Sequence, residues 1–331
     1  MPTEFETFRN IIESKTRFVL TSHINPDGDG LGTEIALAGF LRRHGKQAVI
    51  LNDSPTPENY QFLSDLFPLL RYDASVHASL IDNTEVIIVL DTNHPNRLGS
   101  MKQAVVSSTA MKICIDHHLE PGKFADLYIL DETSTATGEI VYRLLNSLSG
   151  TGIDRDAAIG LYTAIMTDTG SFRYPKTDPD THKIIAHLIQ LGADPVKIYQ
   201  QVYEQGSVNR LRLLGLALAN LQTSHEGKIA YIVLTHEMLA STHTTEIDSD
   251  TFIPFTLTIG GVQIGLLFAE VEGLIKISFR SKGDIWINEL AKEFGGNGHK
   301  NAAGARIPHA LLEDIISQVL ERAGTYLRKT S

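Results

Sequence analysis

The first half of the chain alternates short apolar runs with segments of helical periodicity. Four runs rich in valine, isoleucine and leucine predict buried strands; they are Arg17–Thr21, Gln47–Leu51, Val86–Leu90 and Lys112–Ile115. Leu31–His44 has apolar residues at helical spacing and ends before Gly45, which is typical of a helix with a glycine cap. Thr135–Leu148 and Arg155–Met166 show the same spacing. Strands that alternate with helices predict an α/β fold in which a parallel sheet carries helices on both faces.

The pattern changes in the second half of the chain. Residues 193–224 show helical spacing with few turn signals and predict a helical linker. Further on, three apolar runs, a helix, a glycine-rich segment and a last helix predict a smaller α+β domain. The elements are Lys228–Leu234, Val262–Ala269, Leu274–Arg280, Ile285–Phe294 and His309–Leu327. The sequence therefore predicts a first domain over 1–192, the linker over 193–224 and a second domain over 225–331.

Composition narrows the classes of binding partner. The 331 residues are 42% hydrophobic and 21% charged, and the net charge is −10 at pH 7. This acidic balance argues against a long basic groove for duplex DNA or an extended single strand, because phosphate neutralisation needs clustered lysine and arginine. A short polyanion held by metal ions and a few arginines is still compatible with it.

Other features bear on the cellular compartment. Cys114 is the only cysteine, so no intrachain disulfide can form and a reducing compartment is expected. The amino-terminal residues are polar and acidic, without the basic start and apolar run of a secretion signal. No apolar run approaches the ~20 residues needed to cross a bilayer. We therefore expect a cytoplasmic protein that does not act at a membrane.

Aspartate and histidine residues cluster where predicted strands and helices end. The clustered residues are His23, Asp27, Asp29, Asp91, Asp116, His117, His118 and Asp168. Ligands of parallel α/β sheets bind beyond the carboxyl ends of the strands, so these side chains are expected to converge. Any single carboxylate among them also suits an ordinary turn or helix cap. The triplet at 116–118 is harder to explain in that way, because buried charges and imidazoles are costly unless they are paired or bind metal.

Most of these residues together have the composition of a metal centre. The candidate ligands are His23, Asp27, Asp29, Asp91, His117 and Asp168. A mixed imidazole and carboxylate set without thiolates favours Mn²⁺, with Mg²⁺ or Co²⁺ as alternatives, over a structural zinc site. The set is too large for one ion but sufficient for two ions that share a carboxylate. Two ions about 4 Å apart can generate a hydroxide and stabilise displacement at phosphorus.

A glycine-rich segment in the second half offers a way to bind an anion. Residues 295–304 read Gly-Gly-Asn-Gly-His-Lys-Asn-Ala-Ala-Gly. Small residues allow close backbone approach, and exposed N–H groups can form a phosphate nest to which His299 and Lys300 add side-chain donors. Arg280, followed by Ser281, ends a predicted strand and offers a bidentate phosphate ligand. Both features are also common on surfaces that bind nothing.

Taken in order, these motifs resemble the DHH/DHHA1 phosphoesterase family. The resemblance covers almost the whole chain and rests on His23-x3-Asp27-x-Asp29, Asp91, Asp116-His117-His118, Asp168 and the glycine-rich segment. In length and domain content the chain is similar to the stand-alone oligoribonucleases (nano-RNases), which also act as 3′-phosphoadenosine 5′-phosphate (pAp) phosphatases. The resemblance implies an enzyme with two divalent cations, Mn²⁺ first among them. It would degrade short oligonucleotides to mononucleotides and dephosphorylate pAp.

The same resemblance implies a role for each motif residue. One metal ion would be held by His23, Asp27 and Asp91. The second would be held by Asp29, Asp91, His117 and Asp168, so that Asp91 forms the bridge. The implied catalytic residues, which orient ligands or serve the leaving group, are Asp116 and His118. The implied substrate-binding residues are Arg97, Arg280, Ser281, Gly296 and His299.

The expected partners follow from this resemblance. They are short single-stranded oligonucleotides or nucleotides such as pAp. Long duplex DNA and membranes are not expected as partners. A homodimer is left open. Two other functions also remain open. One is a cyclic-dinucleotide phosphodiesterase, since membrane-anchored relatives use the same domain pair for that reaction. The other is a nucleotide-binding module without catalytic activity.

Overall fold

The chain folds into two compact units, Met1–Gln205 and Gly206–Ser331. The computed structural model describes residues 2–118, 121–148, 152–249 and 251–328. The segment 193–224, predicted as a linker, contains two helices separated by residues 204–207. The two units divide within that interruption. The domain limits drawn from the sequence stay a prediction.

Parallel strands form the sheet of the first unit. Its strands are β1 Arg17–Thr21, β2 Gln47–Asn52, β3 Leu69–Arg71, β4 Val86–Leu90, β5 Met111–Asp116 and β6 Leu127–Leu130. Its helices are α1 Pro2–Ser14, α2 Gly28–Arg43, α3 Ala74–Asp82, α4 Met101–Ser107, α5 Thr137–Leu148, α6 Arg155–Asp168, α7 Pro179–Gln190 and α8 Pro195–Tyr203. Short 3₁₀ helices lie at Glu58–Asp65 and Pro95–Leu98. Across the described sheet the order is β3-β2-β1-β4-β5-β6, with every neighbouring pair parallel.

Helices cover both faces of this sheet, so the predicted α/β fold is confirmed. Phe18 and Leu20 of β1 belong to the larger hydrophobic core, together with residues of α2, α5 and α6. Val19, between them, belongs to a smaller core on the other face with Ile81 of α3 and Met101 of α4. Because the central strands are buried on both faces, they form continuous apolar runs rather than alternating ones.

Helix α2 begins earlier than the periodicity predicted. It starts at Gly28 rather than Leu31, and Asp27 is its N-cap. The Oδ1 atom of Asp27 accepts hydrogen bonds from the amides of Asp29 at 3.0 Å and Gly30 at 3.3 Å. Residues 28–30, which the predicted helix left out, are therefore its first turn, and Asp29 is fixed by helical geometry.

The strand order creates a crevice at one point of the sheet. Strands β1 and β4 are neighbours, although β2 and β3 lie between them in the sequence. The chain runs to one side of the sheet after β1 and to the other side after β4. Such a switch leaves an opening beyond the carboxyl ends of the two strands, where ligands of open α/β sheets bind.

Two glycines allow α2 and α6 to pack at close range. A Cβ atom on Gly32 of α2 would press on the carbonyl oxygen of Gly160 of α6 and lie 3.2 Å from Cβ of Ala164. We expect Gly32→Ala to lower the free energy of unfolding by about 1–3 kcal/mol, because the extra methyl group overpacks this contact. Denaturant unfolding of the two proteins measures the difference.

Gly39 on the same helix provides the matched control. A Cβ there would meet only the flexible end of Arg43, at 3.3 Å. Gly39→Ala is expected to leave stability unchanged or to raise it by up to about 1 kcal/mol through helix propensity. Equal destabilisation by both substitutions would contradict the close-packing explanation.

A mixed sheet forms the second unit and confirms the predicted α+β domain. Its strands are β7 Gln222–Ser224, β8 Ile229–Leu234, β9 Ile264–Val271, β10 Leu274–Ser281, β11 Asn297–His299 and β12 Ala302–Pro308. Its helices are α9 Val208–Ala219, α10 His236–Thr242, α11 Pro254–Leu257, α12 Ile287–Glu293 and α13 Leu312–Arg328, with a 3₁₀ helix at Glu246–Ser249. The order is β11-β12-β10-β9-β8-β7. Among the described strands of this second sheet, only the β8–β9 pair is parallel.

Hydrophobic residues pack on both faces of this second sheet as well. Residues of α12 and α13 form a core with one face, and residues of α9 and α10 form a core with the other. The glycine-rich segment is part of the β11–β12 hairpin, in which Asn297 pairs with Gly304. It is therefore a paired edge of the sheet rather than an open loop. Within the described part of the chain, no helix is long and apolar enough to cross a membrane.

Candidate metal centre

Side chains that follow β1 and β4 meet at the crevice. His23 is 4% exposed, and its Nε2 atom lies 3.2 Å from Oδ2 of Asp91 and 3.9 Å from Oδ1 of Asp27. Its Nδ1 atom lies 2.8 Å from the carbonyl oxygen of Ile24, to which it donates. This hydrogen bond leaves the lone pair of Nε2 facing the two carboxylates. His23, Asp27 and Asp91 thus form one group able to hold a metal ion.

A second group comes from α2, the end of β5 and the end of α6. The Nε2 atom of His117 lies 3.3 Å from Oδ2 of Asp168 and 3.9 Å from Oδ2 of Asp29. Its Nδ1 atom lies 3.3 Å from the carbonyl oxygen of Ser134, which orients the ring. These three side chains each offer a ligand atom within 4.8 Å of the others.

Asp91 lies between the two groups. Its Oδ2 atom faces His23, whereas its Oδ1 atom is 3.8 Å from Nε2 of His117 and accepts a hydrogen bond from Thr137 Oγ1 at 3.2 Å. The residue is 2% exposed, and its φ of 57° lies in the left-handed region that aspartate adopts at some cost. A strained backbone conformation therefore presents one carboxylate to both groups.

The three residues of the Asp116-His117-His118 triplet have different contacts in the structure. Asp116 is fully buried, and its Oδ1 atom accepts hydrogen bonds from the His117 amide at 2.8 Å and from Nδ1 of His118 at 2.7 Å. Asp116 therefore orients the imidazole of His118. His117 instead faces Asp168, and its ring meets that of His118 edge to face at 4.6 Å. A third group of possible ligands combines the triplet with Asp91.

The amino end of α5 holds the carboxylate of Asp29. Oδ2 accepts a hydrogen bond from the amide of Thr137 at 2.7 Å, and Oδ1 accepts one from Gly138 at 2.9 Å. Helix amino termini favour negative charge, so these amides stabilise the ionised carboxylate. Sequence reasoning missed both residues and also Ser134. The signal was the run of small, mostly hydroxylated residues at 133–137, Thr-Ser-Thr-Ala-Thr, which leads into the first turn of α5.

Burial and mutual repulsion raise the pKa values of the carboxylates. Burial raises the pKa of Asp29. It also raises the pKa values of Asp91 and Asp168 well above their usual range, and in both cases the charges of Asp29 and Asp27 add to the effect. The carboxylates cannot all ionise at neutral pH without nearby positive charge. Oxygen and imidazole ligands without thiolate suit hard divalent cations, so the donor set and its electrostatics both fit such ions.

Arg97 lies close to the first group. It belongs to the 3₁₀ helix Pro95–Leu98, and its carbonyl oxygen accepts a hydrogen bond from the Ile24 amide at 2.7 Å. Burial lowers the pKa of His23, and the charge of Arg97 lowers it further. The structure thus brings Arg97 to the same edge of the sheet as the predicted ligands.

The other candidate substrate contacts lie in the second unit. In Arg280, Nη1 donates to its neighbouring carbonyl, Phe279 O, at 3.0 Å. Ser281 is 7% exposed and donates through Oγ to the carbonyl oxygen of Ile285 at 2.7 Å. The amide of Gly296 donates to the carbonyl oxygen of Ala291 at 2.8 Å. The side chain of His299 lies outside what the structure describes. Phosphate contact by these residues stays a prediction.

Comparison with known proteins matches each of the two units to a known domain family. The DHH family, N-terminal domain, matches residues 17–165, and the DHHA1 domain matches residues 232–325. The chain is 28% identical to the bifunctional oligoribonuclease and PAP phosphatase NrnA of Bacillus subtilis (strain 168) over 292 residues, 87% of this chain and 88% of the relative. Identity to the protein of that name from Thermus thermophilus is also 28%, over 91% of this chain and 87% of the relative.

A solved structure extends this similarity to the whole fold. The exopolyphosphatase-related protein from Bacteroides fragilis is 32% identical to the chain and superposes with a TM-score of 0.95. The superposition covers 99% of this chain and 98% of the other. The similarity therefore includes both units.

Proposed function

Because the chain belongs to the DHH family and carries a DHHA1 domain, we propose that it is a metal-dependent phosphohydrolase. It degrades short oligonucleotides to mononucleotides and removes the 3′-phosphate of pAp. The observation that carries the proposal is the pair of histidine and aspartate groups on either side of Asp91. The names of the relatives from Bacillus subtilis and Thermus thermophilus support the choice of substrates.

The two groups suggest how the chain would hold two divalent cations. His23, Asp27 and Asp91 would hold the first cation, and Asp91 would also belong to the second set. The second set is Asp29, Asp91, His117 and Asp168. Two such cations, Mn²⁺ in preference to Mg²⁺ or Co²⁺, supply activation of water and neutralisation of phosphoryl charge when bound.

The remaining residues of the triplet serve the leaving group. Nδ1 of His118 donates to Asp116, so that the opposite nitrogen, Nε2, is the one that would give its proton to the leaving-group oxygen. Asp116 holds the imidazole in place and fixes which nitrogen is available. Arg97 is the proposed substrate contact of the first unit. The proposed phosphate and nucleotide contacts of the second unit are Arg280, Ser281, Gly296 and His299.

Metal removal and return test this function directly. Protein stripped with a chelator is expected to be inactive towards di- to pentanucleotides and pAp, and to recover activity on addition of Mn²⁺. Chromatography would follow release of mononucleotides, and a phosphate assay would follow pAp. No metal-dependent release of either product would overturn the proposal.

Two further substrates in the same assay separate the alternatives. A strong preference for a cyclic dinucleotide over linear pApA would reassign the protein to the cyclic-dinucleotide phosphodiesterases. Binding of nucleotides without turnover at any metal concentration would instead indicate a non-catalytic binding module. We expect the linear substrate to be preferred.

A further inference from the structure

The chain has a single tryptophan, and its indole ring is exposed. Trp286 directly precedes α12 and is 56% exposed, whereas its neighbours Ile285 and Ile287 are 4% and 0% exposed. Backbone geometry therefore directs the isoleucines into the core and the indole outwards. Exposure of so large a ring gives up the stabilisation that its burial would contribute. One exposed apolar residue is ordinary on a surface, so its surroundings decide whether it has a function.

The segment that carries the ring is held firmly. The amide of Ile287 donates to the carbonyl oxygen of Lys300 at 2.7 Å. The side chain of Asn301 donates to the carbonyl oxygens of Gly283 at 3.0 Å and Ile285 at 3.2 Å, and Ser281 also donates to Ile285. These hydrogen bonds tie both sides of Trp286 to the end of β10 and to the glycine-rich hairpin. The ring is presented on a fixed backbone, which lowers the entropy lost when a ligand packs on it.

A cation lies beside the exposed ring. The Nζ atom of Lys300 is 5.7 Å from the centroid of the Trp286 ring, within the range of cation–π interaction, and 2.8 Å from Oδ1 of Asp284. Arg280 and Ser281 lie at the end of β10, to which the segment is tied. An aromatic face beside a lysine ammonium, which Asp284 holds in place, matches the two parts of a nucleotide, a base with a π surface and an anionic phosphate.

We propose that Trp286 is a stacking platform for a nucleobase of the substrate, with Lys300 beside it as a contact for the attached phosphate. The inference rests on the proposed function and sharpens it: the substrate must carry a base, and a purine binds more tightly than a pyrimidine because its π surface is larger. Sugar phosphates and inorganic polyphosphate lack this contact. Trp286 thereby acts as a residue that determines specificity.

The single tryptophan makes the contact visible by fluorescence. Full-length protein with Mg²⁺, which is diamagnetic, would be titrated with AMP, a product of the proposed reaction. We expect AMP to quench or shift the tryptophan emission, while ribose 5-phosphate, which has the same phosphate and no base, leaves it unchanged at equal concentration. Equal responses to the two ligands would overturn the proposal.

Substitutions measure the strength of the contact. Trp286→Ala is expected to weaken AMP binding, measured by calorimetry, by about 5- to 150-fold, the range for loss of one base–aromatic stack. Trp286→Phe keeps an aromatic face and should retain most of the affinity. Leu311→Ala removes another exposed apolar side chain of the same unit, 72% exposed, and should leave AMP binding unchanged.

The results separate this inference from the proposed function. If the wild type releases AMP from pApA and Trp286→Ala binds AMP as tightly as the wild type, the stacking platform is wrong and the function stands. If AMP binding depends on Trp286 but neither pApA nor pAp is hydrolysed, the platform stands and the hydrolase is wrong. Under the proposal, Trp286→Ala raises the KM for pApA and leaves the hydrolysis of bis(p-nitrophenyl) phosphate, which has no nucleobase, unchanged.

Discussion

Replacement of Asp91 by asparagine is expected to abolish hydrolysis of pApA and pAp while the protein remains folded. Asp91 is the carboxylate that faces both ligand groups, with Oδ2 towards His23 and Oδ1 towards His117. On the proposed assignment, its loss removes a shared ligand and with it several kcal/mol of transition-state stabilisation, which corresponds to a rate loss of about 10³-fold or more. Initial rates at saturating Mn²⁺ would measure the loss.

The same substitution is expected to stabilise the metal-free protein. Burial and the charge of Asp29 raise the pKa of Asp91 well above its usual range, so the ionised side chain opposes folding at neutral pH. Asparagine has the same shape and no charge. Thermal unfolding in the presence of chelator should therefore show an unchanged or higher Tm.

An exposed aspartate serves as the control for Asp91. Asp82 lies on the surface at the end of α3. Asp82→Asn should leave both the rate and the Tm unchanged. Activity retained in Asp91→Asn would refute the shared-ligand assignment, and activity lost together with the fold would mean that Asp91 serves structure alone.

The second large effect concerns Glu34, which is fully buried on α2. Its Oε2 atom accepts a hydrogen bond from Nδ2 of Asn52 at 2.8 Å, and its Oε1 atom has no partner among the described residues. Burial raises the pKa of Glu34 from 4.5 to about 8. The folded protein therefore holds a proton on this side chain at neutral pH, where the unfolded chain does not.

The direction of the pH dependence follows from this difference. The contribution of Glu34 to stability is complete below about pH 4.5 and is lost as the pH rises through about 8. The loss amounts to roughly 3–5 kcal/mol at the alkaline end, at about 1.4 kcal/mol for each pH unit. Glu34→Gln, which cannot ionise and keeps an acceptor for Asn52, should lack this component.

Denaturant unfolding at pH 5, 6.5 and 8 in the presence of chelator would measure the pH-dependent contribution of Glu34 to stability. The difference in free energy of unfolding between Glu34→Gln and wild type is expected to grow in favour of the variant as the pH rises. Exposed Glu58 gives the control, since Glu58→Gln should follow the wild type at every pH. Parallel curves for wild type and Glu34→Gln would show that Glu34 is ionised in the folded protein.

The central strands of the first unit could be predicted because their signal is local. Strands β1, β2, β4 and β5 are buried on both faces and appear as unbroken apolar runs, so each was found to within one residue. Strands β3 and β6 escaped prediction. They are only 3 and 4 residues long and partly exposed, and strands of this kind lack a distinct apolar pattern.

The site could be predicted only in part. The histidine and aspartate candidates were recognisable because buried polar side chains after apolar strands have few structural reasons to be there. The backbone groups that hold or orient these side chains have no comparable signal in the sequence. The amides of Thr137 and Gly138 hold Asp29, and the carbonyl of Ser134 orients His117. Any residue type presents an amide and a carbonyl, so only the fold reveals which ones are used.

The sequence alone determined the chemical identity of the candidate ligands and the strands that precede His23, Asp91 and His117, because both depend on residue type and local pattern. The tertiary structure decided their arrangement. It placed β1 beside β4, which brings His23 to 3.2 Å from Asp91, and it divided the triplet so that Asp116 holds His118 while His117 faces Asp168. Strand order and side-chain direction result from packing between segments far apart in the chain, and that packing leaves no local trace in the sequence.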